Sequence, residues 1–106
     1  MPPAVKLFIT PVGNGNYLVV VNGDGFVNAE NRKVGVRIRG EDQWFDDTLF
    51  SINPGFPGRI LGGGFSMSAT VSGSSLNEDW GQDEVYAIAS VEGLGDFRSN
   101  TIKRHF

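Results

Sequence analysis

Two stretches of the chain gather carboxylates around an indole: Glu41, Asp42, Trp44, Asp46 and Asp47, and then Glu78, Asp79, Trp80, Asp83 and Glu84. Carboxylate oxygens in loops are hard ligands suited to calcium, and an exposed indole beside them offers a flat face for a sugar ring. Asp46, Asp47, Glu78 and Asp79 are the candidate metal ligands, and Trp44 and Trp80 the candidate ligand-binding residues. The competing reading is a solvated acidic rim with each indole packed over a core edge, because tryptophan is usually largely buried. A cation is favoured if both stretches lie at one end of the fold, where their charges add.

Asn22-Gly23-Asp24-Gly25-Phe26-Val27-Asn28 imitates part of a calcium-binding loop. Aligning Gly25 with that loop's invariant glycine puts Val20 at the first ligand position and Asn31 at the last. The first lacks a side-chain oxygen and the last lacks a bidentate carboxylate, so the stretch reads as a tight turn. Gly23 and Gly25 would supply positive φ where the chain leaves a strand. Gly23-Asp24-Gly25 also lacks the third glycine and following helix of a dinucleotide turn, and Gly62-Gly63-Gly64 lacks the lysine ending of a phosphate loop.

Catalytic chemistry is poorly supplied. The only histidine, His105, stands next to the last residue, which removes most triad and histidine-metal mechanisms. Ser66, in Gly64-Phe65-Ser66-Met67-Ser68, lacks the second glycine of a nucleophile elbow. A carboxylate pair for glycoside hydrolysis needs a deep cleft, which a domain of 106 residues rarely forms. With no cysteine there is no disulfide, thiolate cage or thiol nucleophile. The expectation is a protein that is not an enzyme and needs no cofactor, calcium apart.

The elements that must position these residues are strands. Fifteen glycines and five prolines divide the 106 residues so finely that helices have little room. Most remaining pieces alternate, as half-buried strands do. Val5, Leu7 and Ile9 share one face of 4–10; 16–22 is rich in β-branched residues; Val34, Val36 and Ile38 oppose Lys33, Gly35, Arg37 and Arg39. That outward basic row is either a solvated face paired with acids across strands or a patch for an anionic partner. Further strands are expected over 48–52, 65–71, 84–91 and about 97–104. In 84–91, Tyr86 and Ile88 are taken as the core pair, opposite Val85, Ala87, Ala89 and Val91. Around 43–48, Phe45, Leu49 and Ile52 have helical spacing, so either a helical turn or a loop leads into the fourth strand. About seven short strands predict a single all-β domain over 1–106, an immunoglobulin-like β-sandwich.

Three stretches carry a family resemblance: Val19-Val20-Val21-Asn22-Gly23-Asp24-Gly25-Phe26, then Val34-Gly35-Val36-Arg37-Ile38-Arg39-Gly40, and last Tyr86-Ala87-Ile88-Ala89-Ser90-Val91 with Ser99-Asn100-Thr101-Ile102. They resemble the IPT/TIG group of immunoglobulin-like domains, from whose pattern 41–64 departs by being longer and richer in aromatics and acids. The resemblance implies a non-catalytic interaction or structural module: a spacer, dimerisation unit or binding platform, outside the cell or at its surface. Protein partners, neighbouring domains or a second copy are the expected contacts. Nine basic against twelve acidic residues argue against nucleic acid. No apolar run approaches a membrane span, and Met1-Pro2-Pro3-Ala4-Val5-Lys6 does not read as a signal peptide. The alternative to the interaction module is a calcium-assisted carbohydrate-binding module using the loop tryptophans and acids.

Overall fold

The structure, a computed structural model, describes residues 2–41, 47–52, 58–76, 83–104 and 106. Its elements follow the glycine and proline punctuation: β1 (Ala4–Gly13), β2 (Asn16–Asp24), β3 (Lys33–Gly40), β4 (Asp47–Ile52), β5 (Gly58–Arg59), β6 (Phe65–Ser72), α1 (Gly73–Leu76), β7 (Asp83–Val91), β8 (Gly95–Arg98) and β9 (Ile102–Arg104). One antiparallel sheet has the order β1-β2-β6; the other runs β4-β3-β7-β8, with β5 added to β3 and β9 added to β7. The inner faces of the two sheets press together as a β-sandwich around one apolar cluster.

Register explains which side chains enter that cluster. Leu7 pairs with Val21 and Ile9 with Val19 in the first sheet, and Val21 continues to Met67 on β6. In the second sheet, Val36 pairs with Ala89 and Ile38 with Ala87. Side chains opposite one another share a face, so the buried set on β7 is Val85, Ala87, Ala89 and Val91. The expectation for this strand is thereby corrected: Tyr86 and Ile88 lie on the outer face. Tyr86 is nonetheless buried there, and Ile88 is half-buried. The physical reason is volume. Phe26, Leu7, Ile38 and Ile52 fill the interior from other elements, and small alanines on β7 interleave with them.

Other departures have local causes. The strand expected over 97–104 is two strands, interrupted at Ser99-Asn100-Thr101. A register shift between Ile38 and Arg39 leaves Leu49 as an extra residue on β4, and both Leu49 and Phe50 pack against the core. Asp47 and Thr48, at the end of the helical-turn alternative, belong to β4; 43–46 lie outside the described residues. The turn after β2 is also more specific than its glycines suggest. Gly25 has φ +79, as a left-handed turn residue needs, whereas Gly23 is required for close approach: a Cβ there would collide with the ring of Phe65, its cross-strand partner. Phe26 then folds inward between Phe65 and Phe97, with ring centroids 5.9 and 5.0 Å away.

The interruption between β8 and β9 closes the sandwich. Ser99 donates its N–H to Ala87 O at 2.9 Å and accepts the Ala87 N–H on Oγ at 2.8 Å. Asn100 reaches across to β1, accepting the Leu7 N–H at 2.8 Å and donating Nδ2 to Leu7 O at 3.2 Å. Its amide thus substitutes for a neighbouring strand along the open edge of β1. Arg104 adds a bond to Ile9 O at 3.0 Å. Replacing Asn100 with Ala should destabilise the fold by about 1–3 kcal/mol in chemical denaturation, because both Leu7 groups lose their partner. Gly23→Ala should cost about 1–3 kcal/mol by displacing Phe65, with the combined Gly23→Ala, Phe65→Leu chain losing less than the sum.

Candidate functional site

Of the residues singled out for calcium or sugar, Trp44, Asp46, Glu78, Asp79 and Trp80 lie outside the described residues, as does the side chain of Asp47. The backbone on either side of the two acidic stretches is described, and it converges. Gly40 pairs with Asp47 on β4 and with Val85 on β7. The Glu41 N–H donates to Glu84 O at 2.8 Å. One flank of each stretch therefore sits at the same end of the second sheet. Among the described residues, no three acids, histidines or cysteines are grouped to hold a metal ion.

A different constellation occupies the outer face of that sheet. β3 presents Arg37 and Arg39 by its period-two alternation, with Arg39 opposite Tyr86 and Arg37 opposite Ile88. β8 then sets Arg98 opposite Ile88 on the other side. The Arg98 guanidinium lies over the Tyr86 ring, 3.8 Å from its centroid. This cation–π contact accompanies the burial of a tyrosine on the outer side of the sheet, which is only 4% exposed.

Carboxylates thread the same face. Asp96 pairs with Arg37 at 3.1 Å and accepts the Ser90 hydroxyl at 2.6 Å. Glu41 lies 3.4 Å from Arg98, and Glu84 lies 3.5 Å from Lys103. The expected pairing of the basic row with acids across strands therefore holds for Arg37. These pairs are solvent-exposed and add little stability singly; their effect is to hold long side chains in fixed positions. Nε of Arg37 is buried and, among the described residues, has no hydrogen-bond partner. The face thus presents partly exposed guanidinium and carboxylate groups around a buried tyrosine.

Sequence reasoning found Arg37, Arg39 and Tyr86 but not their association, and it missed Arg98 and Asp96. The usable signal was the count on 85–91, where aliphatic side chains at the odd positions outnumber the pair at the even ones. On the opposite sheet, Lys6, Phe8, Asn22 and Asp24 border an open concavity of about 300 Å3 that carries no nucleophile–base pair. Compared with protein-family profiles, curated proteins and solved structures, the chain matches none.

A double-mutant cycle of Arg98→Ala and Tyr86→Leu should give a coupling of about 0.5–1 kcal/mol in denaturant titrations, reflecting a cation–π contact whose cation is partly exposed. The Arg37–Asp96 pair, measured the same way, should couple by less than about 1 kcal/mol and lose most of that in molar salt.

Proposed function

We propose that the chain is a non-catalytic, immunoglobulin-like interaction or structural module that engages protein through the outer face of its six-stranded sheet. The observation that carries this reading is Arg98 stacked on Tyr86 with Arg37 and Arg39 alongside. Arginine and tyrosine are the residue types most enriched where truncation weakens protein complexes, because they offer large rigid area and several hydrogen bonds. The partly exposed guanidinium groups of Arg37 and Arg98 suit a partner carbonyl or carboxylate. Strand order supports the immunoglobulin-like part of the proposal. With β1, β2, β3, β4, β6, β7 and β8 taken as strands A, B, C, C′, E, F and G, the sheets read ABE and C′CFG. That order also accords with the IPT/TIG resemblance.

Capture experiments with the wild-type chain and an Arg37→Glu, Arg98→Glu chain test the face. A partner held by the first and released by the second is the expected outcome. Equal retention by both would show that recognition lies elsewhere.

One observation favours a second reading, a calcium-assisted carbohydrate-binding module: the convergence of Gly40, Asp47 and Val85 beside both acidic stretches. On that reading, millimolar calcium should raise the melting temperature and change tryptophan fluorescence, and a sugar should shift it again. On the interaction-module reading, neither addition changes either signal.

A further inference from the structure

The sandwich's strand edges are defended to different degrees. β1 is capped by the Asn100 amide and by Arg104. β8 and β9 carry Asp96, Arg98, Lys103 and Arg104. The line of β4 and β5 begins at Asp47 and ends at Arg59. Charged side chains and capping groups of this kind discourage edge-to-edge pairing. β6 is different. Phe65–Ser72 holds no charged residue and no proline, and it forms one margin of its sheet.

The direction of its free backbone groups follows from register. The Gly73 N–H donates to Gly15 O, continuing the pairing that sets Asn16 opposite Ser72. Bonded pairs in an antiparallel ladder recur at every second residue. Val71, Ala69 and Met67 therefore bond to β2, while the N–H and C=O groups of Ser66, Ser68, Thr70 and Ser72 point away from the sheet. Among the described residues, no loop or turn backbone bond reaches Ser66, Ser68 or Thr70; the Ser72 carbonyl, at the start of α1, accepts the first bond of that helical turn. Their side chains are all exposed.

We infer that β6 is the pairing edge for a second copy of this chain, joined antiparallel about a two-fold axis at Ala69 to make one continuous sheet from the two three-stranded ones. That register sets Ser66 opposite Ser72 and Ser68 opposite Thr70 of the other copy, and it uses the outward groups of Ser66, Ser68 and Thr70 together with the Ser72 N–H. Small hydroxyl pairs face solvent on one side; Ala69 meets its own symmetry mate, and Met67 meets Val71, on the other. A neutral strand matches itself in charge, whereas pairing at β1 would require the Asn100 and Arg104 contacts to be displaced. The inference rests on reading the chain as an interaction module, and it names a surface separate from the arginine face.

Sedimentation of the intact chain should show a concentration-dependent dimer. Ser68→Lys and Thr70→Glu, both on the exposed face, should each weaken self-association about tenfold or more while leaving the far-ultraviolet spectrum unchanged. Mixing the two variants should restore a heterodimer, because the ammonium introduced in one chain then lies opposite the carboxylate introduced in the other. A wild-type chain monomeric at millimolar concentration would overturn the inference. So would a dimer indifferent to both variants, which would leave the interaction-module reading standing. Should either variant fail to fold, amide exchange on the wild-type chain decides: the Ser66, Ser68, Thr70 and Ser72 amides gain protection with concentration if β6 pairs, and do not otherwise.

Discussion

The pairing of β3 with β7 is the contact on which the rest of the molecule depends. Every other strand of the larger sheet attaches to one of these two: β4 and β5 to β3, β8 and β9 to β7. Their register places Val34, Val36 and Ile38 beside Val91, Ala89 and Ala87, all essentially inaccessible to water. Because strand side chains alternate with a period of two, a slip of one residue would turn this row outward and drive Arg37 and Arg39 into the core. Burying unpaired guanidinium groups is far too costly for such a slip to persist. The same register sets Arg39 opposite Tyr86, so core formation and assembly of the arginine face are one event.

That dependence also explains what was legible in the sequence. Alternation is local, so β1, β2, β3 and β6 can be read from their own residues. The facing of β7 cannot be settled by size, because Tyr86 and Ile88 are larger than the alanines that pack inside. It follows from the pairing of Ala87 and Ala89 with Ile38 and Val36, which is a long-range fact. The two-residue β5 and the four-residue α1 are too short to leave a periodic signal. Ser99-Asn100-Thr101 was visible as a motif, but its task of bonding Ala87 and Leu7 depends on residues far along the chain. The arginine face was half legible for the same reason: β3 announces its outward row, while Arg98 joins only through the β7–β8 register.

Burial beneath a guanidinium gives the outer face an unusual character. A tyrosine in an apolar core would be indifferent to the surrounding salt and to partners. Tyr86 is covered by a side chain that is itself almost half exposed, at 45%, and tied to Glu41. Arg98 is held there by a surface ion pair, a hydrogen bond to Thr101 and the cation–π contact, each of modest size. The charges of this face govern specificity and encounter more than total affinity.

The Asn100 clasp on Leu7 joins positions 93 residues apart. During synthesis the first strand leaves the ribosome long before the amide that completes its edge has been translated. Until then its outward N–H and C=O groups are satisfied only by water or by whatever passes. A fold closed this way gains that seal only after all the residues between Leu7 and Asn100 have been made, and such long-range closure favours slow folding.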